Sequence, residues 1–284
     1  EGEVLGFEDG LIHYVPAYTT GPILFYNKTL FDELQLQVPT TWEEMEAAAR
    51  KMHEVKGIAG LGTDSLTDLL QMLIMETPGA GYIDVENKQV LFDTPEVREK
   101  VRWLVDLAKE GVVAVKSSGD YFSVDFNSGI VGSYIGSSAG YPYITPDGFE
   151  FAMAPMPAQT WYPSWNRGPI VFNKDEASNL GAYEFVKFFL QPENNAGWAK
   201  AMNALSPYGT TQASDAYKAF AAELPASLVA VQENLDVAGA LPTISGSYAI
   251  RTALQEAATM VAGGMDPAEA LAACVATSNQ AMQG

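Results

Sequence analysis

The sequence predicts an α/β protein, because short apolar runs alternate with segments that carry helix start signals. Ile23–Tyr26 is an apolar and aromatic run of the kind found in buried strands. Thr41 and Glu44 form a T-x-x-E capping box at the start of a helical segment. Thr94 and Pro95 mark a second helix start, with threonine as the cap and proline at the first helical position. Hydrophobic residues make up 48% of the 284 residues, which is enough for a sizeable core.

The first part of the chain is predicted to alternate between strands and helices. In order, the expected elements are a strand in Leu11–Tyr18, the strand Ile23–Tyr26, a short helix over Leu30–Leu36, a helix from Thr41 to Met52, a short strand within Gly57–Gly62 and a helix over Asp64–Met75. The helix after Thr41 carries Trp42 and Met45 on one side, which is typical of a helix that buries one face.

The rest of the chain continues the same alternation. The helix after Thr94 has a clear apolar face of Val97, Val101, Leu104 and Val105, and Gly111 ends it. The later expected elements are a turn and strand in Phe126–Ile135, strands in Phe149–Ala158 and Ile170–Phe172, helices over Ser178–Leu190 and Pro192–Met202, a helix from Tyr248 to Val261 and a last helix from Asp266.

Charge and composition exclude several classes of function. Lys and Arg total 16 against 35 Asp and Glu, a net charge of −19, so a nucleic-acid partner is not expected. No apolar run approaches the roughly 20 residues of a transmembrane helix. The single cysteine, Cys274, is predicted to be a small buried residue. His13 and His53 lack metal-ligand spacing, and neither a metal nor a cofactor is expected.

One segment matches an enzyme motif. Gly136–Gly140 has the G-x-S-x-G pattern of a hydrolase nucleophile elbow, with Ser138 as the nucleophile. That mechanism needs a helix directly after the serine and a histidine further along the chain. Pro142 disfavours a regular helix there, and both histidines precede the motif. A serine hydrolase therefore remains the less favoured alternative to a glycine-rich, ligand-facing loop.

Two neighbouring motifs resemble a known family. Tyr26–Phe31 has the pattern Y-N-K-x-x-F at a strand exit, and Pro39–Glu44 has P-x-T-W-E-E at the next helix start. The combination resembles the family 1 extracellular solute-binding proteins of ABC importers, which are maltose-binding-protein-like. Ala182–Trp198 is most similar to the branch that binds glycerol-3-phosphate and glycerophosphodiesters. In the family a longer segment precedes the first motif, so the resemblance implies that the family's N-terminal portion is lacking here.

The resemblance implies a two-lobed periplasmic-binding-protein type II fold, with the first lobe incomplete. Residues 1–26 and 159–202 would form part of lobe 1, and residues 30–152 and 207–284 would form lobe 2. The chain would cross between the lobes near 26–29, 153–158 and 202–207. A ligand cleft would lie between the two lobes.

The resemblance also implies the function. The chain would capture a small carbohydrate or polyol phosphate outside the cytoplasmic membrane and deliver it to the transmembrane subunits of an ABC permease. It would act as a periplasmic monomer, associated with the membrane through the transporter. No catalytic residue is expected, because binding and release involve no chemistry.

Six residues are predicted to contact the ligand on the strength of the resemblance: Thr20, Trp42, Ser138, Gly168, Tyr208 and Arg251. Arg251 matches an arginine of the family's penultimate helix and could hold a phosphate or a hydroxyl. The alternative is a surface ion pair with Glu256 or another acid. Leu205 replaces a tyrosine that the glycerol-phosphate branch uses on its ligand, with Tyr208 as a possible substitute.

The loop Gln159–Pro169 carries further aromatic candidates. Trp161, Tyr162 and Trp165 could stack on a sugar or cap a cleft, or could pack the loop onto the domain. The sequence leaves both interpretations open for each of the three.

Overall fold

The computed structural model describes residues 14–115, 121–158 and 160–284. The strands are β1 (Tyr18–Thr20), β2 (Pro22–Asn27), β3 (Leu61–Thr63), β4 (Ile83–Asp84), β5 (Gln89–Val90), β6 (Val113–Val115), β7 (Ser133–Ser137), β8 (Phe151–Ala154), β9 (Tyr162–Pro163), β10 (Trp165–Arg167) and β11 (Ala238–Gly239). The helices are α1 (Lys28–Leu34), α2 (Trp42–Lys56), α3 (Leu66–Met75), α4 (Pro95–Lys109), α5 (Ser123–Asn127), α6 (Glu176–Phe189), α7 (Pro192–Ala201), α8 (Gly209–Gln212), α9 (Asp215–Ala221), α10 (Ala226–Glu233), α11 (Ala249–Ala262) and α12 (Pro267–Gln283). The predicted α/β class is confirmed.

A five-stranded sheet, which we call the main sheet, forms the centre of the fold. Its strand order is β6-β3-β7-β2-β8. Strand β3 is parallel to β6 and β7, whereas β2 is antiparallel to β7 and β8. Ile23, Leu24 and Phe25 are fully buried in β2, which pairs with β7 on one edge and β8 on the other and is packed by α10. The apolar run that predicted a buried strand is therefore the core of the sheet.

Helices α2 and α4 begin where the sequence predicts. The Thr41 hydroxyl accepts a hydrogen bond from the Glu44 N–H at 3.2 Å, and the Glu44 carboxylate accepts one from the Thr40 N–H at 2.8 Å. Thr94 caps α4 through the Val97 N–H at 3.3 Å. Helix α4 then packs beside β6 and against α11 and α12, while α10 packs over β2 and β8. Caps and apolar faces together fix these helices.

A second, smaller sheet lies beside the main sheet. Strand β1 pairs antiparallel with β10, and Leu205 bridges to Thr19 on its other side. We call this arrangement the small sheet. Tyr26 already pairs with Ser133 and Ala152 in the main sheet. The chain therefore passes from the small to the main sheet at Gly21. The lobe crossing near 26–29 stays a prediction.

Two predicted strands differ from the observed structure. Ile170–Phe172 forms no regular strand, and Ile170 makes only an isolated bridge to Tyr14. Of the strand expected in Leu11–Tyr18, residues 11–13 lie outside the described residues, and the regular strand begins at Tyr18. Among the described residues, the two segments meet in the single bridge between Tyr14 and Ile170, which is too short a pairing to make a regular strand of either.

Helix α6 has an uncovered apolar side. Asp175 caps it through the Ser178 N–H at 2.8 Å, but the helix contains no buried residue. Leu180, Tyr183, Phe185 and Phe188 are each exposed by more than half.

Within the described ranges, no helix is both long and apolar enough to cross a membrane.

Gly168, at the end of β10, is held against the backbone of the segment before β1. The Ala17 N–H donates to the Arg167 carbonyl at 2.7 Å. A Cβ added at Gly168 would lie 1.9 Å from the Val15 carbonyl oxygen, a distance that no backbone tolerates. Glycine is therefore required here for the close approach of the two chain segments.

A substitution in α4 tests the assignment of the core. Leu104 is 1% exposed, so Leu104→Ala should lower the free energy of unfolding by about 2–5 kcal/mol through lost burial and a residual cavity. Leu180→Ala in α6 is the matched control and should change it by less than about 0.5 kcal/mol, because that side chain is exposed. Urea unfolding followed by circular dichroism measures both, and equal losses would contradict the packing described.

Two glycine substitutions test the contact beside β1. Gly168→Ala should destabilise the protein by about 1–3 kcal/mol, because the added methyl group forces the backbone apart. Gly181→Ala, inside α6, meets open space and should stabilise by roughly 0.5–1 kcal/mol through higher helix propensity. Opposite signs are expected in the same urea titration; a neutral Gly168→Ala would mean that the segments do not touch.

Candidate ligand-binding site

A cleft lies between the main sheet and the small sheet and contains two adjoining pockets. The larger has a volume of about 610 Å³ and the smaller about 240 Å³. Asp68, Trp165, Arg167 and Arg251 line both pockets and form their common wall. Asp68 comes from α3, Arg251 from α11, and the other two from β10. Three separate parts of the chain therefore meet at this wall.

The larger pocket opens at one edge of the main sheet. Thr63 and Ser137, which line it, end the parallel strands β3 and β7, and Pro22 begins the antiparallel strand β2 at the same edge. The carboxyl ends of parallel strands are the usual ligand site in open α/β sheets. Tyr121 and Tyr248, both largely exposed, add two aromatic rings at the rim.

The smaller pocket is built mainly by the small sheet and its neighbours. Its remaining lining residues are Tyr14, Gln71, Trp161, Pro163, Ser164, Asn166, Gly239, Ala240, Leu241 and Thr243. Strand β9 pairs parallel with β11, which brings the 239–241 backbone to the pocket wall. Trp161 is nearly buried beside this backbone, whereas Trp165 is half-buried and faces both pockets.

Arg251 is paired inside the cleft. Its Nη1 donates to Asp68 Oδ1 at 2.5 Å and to Gln71 Oε1 at 3.1 Å. Ser65 caps α3 through the Asp68 N–H at 3.1 Å, which fixes Asp68 in the first turn of the helix. Burial disfavours the charged guanidinium and is the largest single effect. The hydrogen bond to Asp68 and the Coulombic interactions with Asp68, Tyr82 and Tyr248 together outweigh it, so the pKa of Arg251 is raised. The partner is thus a cleft carboxylate and not Glu256.

Arg167 is the second cleft arginine and is held differently. Its Nη1 donates to the backbone carbonyl of Asn166 at 3.3 Å. Among the ion pairs of the described residues, none involves Arg167. The side chain is exposed to the cleft. Most of its N–H groups are therefore available to a bound molecule.

Tyr14 contributes an unsatisfied hydroxyl to the smaller pocket. Its Oη is buried and makes no hydrogen bond. Burial raises the pKa of Tyr14 to about 12, although the nearby charge of Arg167 lowers it. The phenol is therefore protonated at neutral pH and can donate to a ligand.

Of the six residues predicted from the sequence, the structure brings Arg251 to both pockets. Thr20 is buried in β1, and its hydroxyl donates to the Trp165 carbonyl at 3.4 Å, so it supports the cleft from behind. Trp42 donates its indole N–H to Glu76 Oε2 at 2.7 Å, and neither pocket includes Trp42. Glu76 Oε1 accepts the Thr160 N–H at 3.0 Å, so Trp42 helps to fasten the loop before β9.

The other three predicted residues also lie outside the pocket linings. Ser138 is fully buried, and its N–H donates to the Gly21 carbonyl at 2.9 Å. Gly168 packs against the Val15 backbone. The Tyr208 hydroxyl donates to the Pro16 carbonyl, and burial raises the pKa of Tyr208. Direct contact of these residues with a ligand stays a prediction.

Asp68, Arg167 and Tyr14 are candidate functional residues that the sequence did not reveal. Asp68 is hidden in a helix predicted for its apolar residues, and its role depends on Arg251, which lies far along the chain. Arg167 lies in the same loop as Trp165, and the aromatic residues of that loop were the sequence feature that could have pointed to Arg167. Of the loop aromatics, Tyr162 is fully buried, Trp161 is nearly buried at the wall of the smaller pocket, and Trp165 lines both pockets.

The described residues do not form a hydrolase site. Ser138 Oγ is buried and has no hydrogen-bond partner. A 3-10 turn over Ser138–Tyr143, containing Pro142, follows in place of an α-helix. His53 Nδ1 lies 2.9 Å from the Ile58 carbonyl, in another part of the molecule. Apart from residues 1–13, 116–120 and 159, no group of acidic, histidine and cysteine side chains could hold a metal ion.

The chain is similar to known solute-binding proteins in sequence. Residues 5–226 match the family described as bacterial extracellular solute-binding protein. The sn-glycerol-3-phosphate-binding periplasmic protein UgpB of Agrobacterium fabrum is 26% identical over 200 residues, which cover 64% of this chain and 46% of that protein. The chain thus spans about half the length of the curated relatives it matches.

Solved structures give the same result. The cyclic alpha-maltosyl-1,6-maltose binding protein from Arthrobacter globiformis matches with a TM-score of 0.80 and 26% identity, covering 99% of this chain and 76% of that chain. UgpB from Mycobacterium tuberculosis, solved in complex with glycerophosphocholine, matches with a TM-score of 0.76 and 17% identity, at 99% and 76% coverage. These matches confirm the type II periplasmic-binding-protein fold. The chain belongs to the family of bacterial extracellular solute-binding proteins.

Proposed function

We propose that this chain is the solute-binding component of an ABC importer and captures a small carbohydrate or polyol phosphate in the cleft between the two sheets. The observation that carries the proposal is the shared wall of the cleft. There the Arg251–Asp68 pair, from helices α11 and α3, and the Trp165 ring, from strand β10 of the small sheet, line the same space. The proposal draws its solute classes from the relatives, which include proteins named for glycerol-3-phosphate and for a cyclic maltosyl-maltose.

The chemistry of the wall suits a molecule with many hydroxyl groups. Asp68 and Gln71 offer acceptor oxygens, and Arg251 and Arg167 offer donors. The ring of Trp165 offers an apolar face for the C–H groups of a sugar. A cleft with both features binds polyols better than apolar molecules, because buried donors and acceptors left unpaired by an apolar ligand cost free energy.

The size of the cleft favours a small solute. The larger pocket, at about 610 Å³, lies within the range of roughly 300–1,000 Å³ typical of small-molecule sites. Trp165 is the one tryptophan that lines both pockets among the described residues, so their junction offers a single indole face for one sugar ring. A monosaccharide, disaccharide or polyol phosphate fits better than a long oligosaccharide.

Capture and delivery follow from the way the two sheets are joined. Binding proteins of this fold close around their solute by hinge motion, and the closed form is the one that a permease can recognise. The expected partners are the transmembrane subunits of the permease, and the expected location is outside the cytoplasmic membrane. The protein acts by binding alone, as a monomer and without a catalytic residue.

A thermal-shift panel tests the proposed function. The panel holds sn-glycerol-3-phosphate, glycerophosphocholine, maltose and common monosaccharides, and the protein is used both as this chain and as the full-length gene product. A ligand that binds only the native state adds about 2.7 kcal/mol of stability at a concentration of 100 Kd, which raises the Tm by several degrees. We expect at least one compound to produce this shift.

Arg251→Gln should abolish the shift, because the wall then loses its guanidinium and leaves Asp68 unpaired. Arg102→Gln is the matched control, since Arg102 pairs with Asp266 at the surface, 3.1 Å away and outside both pockets. A shift that survives Arg251→Gln would place the ligand elsewhere. If no compound shifts either form of the protein, the proposed function is wrong in its solute class.

A further inference from the structure

The two pockets of the cleft differ in their balance of charge. Arg167 and Arg251 line both, and Asp68 accompanies them in both. The larger pocket also contains Asp64, whose Oδ1 accepts the Phe122 N–H at 2.7 Å. The larger pocket therefore holds two acidic and two basic groups, whereas the smaller holds one acidic and two basic groups. The smaller pocket carries one unbalanced positive charge.

The unbalanced charge belongs to Arg167. The guanidinium of Arg251 is already held by the Asp68 carboxylate and the Gln71 side chain. Arg167 makes one hydrogen bond, to the carbonyl of the residue before it. A guanidinium has five N–H donors in a planar fork that matches the oxygens of a phosphate or carboxylate. Arg167 thus has the donors and the charge to hold an anionic oxygen group.

Two further polar side chains of the smaller pocket, Ser164 and Tyr14, differ in whether their hydroxyls are already hydrogen-bonded. The Ser164 hydroxyl lies 2.9 Å from the Thr19 hydroxyl, and the Ser164 N–H donates to the Gly239 carbonyl. The buried Tyr14 hydroxyl, in contrast, has no partner. A buried hydroxyl without a hydrogen bond costs free energy, which a ligand oxygen in this pocket would recover.

We propose that the smaller pocket is a subsite for an anionic oxygen group of the solute, a phosphate ester or a carboxylate, bound by Arg167 and Tyr14. The polyol portion of the same solute occupies the larger pocket, and Trp165 lies at the junction. This proposal rests on the proposed function, whose solute it narrows to an anionic one. At about 240 Å³, or roughly eight water volumes of about 30 Å³, the pocket has room for such a group and its adjoining carbon atoms.

The net charge of −19 does not oppose this assignment at contact distance. Charges on the far surface are screened over about 10 Å at 0.1 M ionic strength. The guanidinium of Arg167 acts at hydrogen-bond distance in a partly enclosed pocket, where screening is weaker. Overall charge therefore slows the approach of an anion, while the local donor decides whether it stays bound.

Matched ligand pairs test the subsite by isothermal titration calorimetry. Each pair differs by one anionic group: glycerol and sn-glycerol-3-phosphate, glucose and glucose-1-phosphate, and galactose and galacturonate. The protein is the full-length gene product, with Arg167→Gln and Tyr14→Phe as test variants. Arg102→Gln, which removes an arginine outside the cleft, is the control. The Tm of each variant without ligand verifies that it is folded.

We expect an anionic member to bind more tightly than its neutral partner. Arg167→Gln should weaken that binding by roughly tenfold to a hundredfold, as loss of a charged hydrogen bond does, and change neutral binding by less than about twofold. Tyr14→Phe should weaken anionic binding by about fivefold. The phosphate and galacturonate arms distinguish a phosphate subsite from a carboxylate one.

Other outcomes overturn the subsite in distinguishable ways. Equal weakening of anionic and neutral members by Arg167→Gln would make Arg167 a structural residue and leave the proposed function intact. If the wild-type protein binds only the neutral members, the anionic subsite is wrong and the proposed function stays intact. Binding of no compound in any pair would overturn the subsite, and it would overturn the proposed function only if the thermal-shift panel also gave no shift.

Discussion

The structure depends on one buried hydrogen bond at the point where the chain passes between its two sheets. The Tyr162 hydroxyl donates to the Pro22 carbonyl at 2.9 Å, and the Tyr162 side chain is fully buried. A Cβ at Gly21 would lie 1.9 Å from that hydroxyl oxygen, so glycine is needed for the ring to fit. Burial raises the pKa of Tyr162, which keeps the phenol a donor. The bond ties β9, which directly precedes β10 of the small sheet, to the start of β2 in the main sheet.

Further buried polar contacts fasten the other chain segments beside this bond. Asn195 donates to the Ala17 carbonyl at 2.6 Å and accepts from the Ser206 hydroxyl at 2.6 Å. Asn234 accepts the Met156 N–H at 3.1 Å where the chain leaves β8. All these groups are satisfied, so the passages between the sheets have defined positions despite carrying little regular structure. The cleft between the sheets inherits its shape from them.

The sequence predicted the parts of the fold that depend on local signals. Strand β2 is predicted from its apolar run. Helices α2 and α4 are predicted from their caps, Thr41 and Thr94, whose hydrogen-bond partners lie three residues away. The cleft depends on contacts between distant residues. Asp68 and Arg251 meet only after α3 and α11 have packed, and no spacing in the sequence indicates this. The family resemblance predicted Arg251. Arg167 and Tyr14 were identified only from the structure, where they line the cleft with hydrogen-bond donors that have no partner among the described residues.

The two arginines of the cleft lie on different parts of the fold. A solute that contacts both of them therefore affects how close those parts lie to each other. Arg251 and its partner Asp68 belong to α11 and α3, which pack against α4 beside strand β6 of the main sheet, while Arg167 belongs to β10 of the small sheet. A solute that contacts both arginines links the two sheets through its own atoms. Such a solute binds better to the arrangement in which the arginines are closer, so its binding free energy shifts the population toward that arrangement. A solute that touches one sheet alone gains nothing from closure, because its contacts are the same in both arrangements.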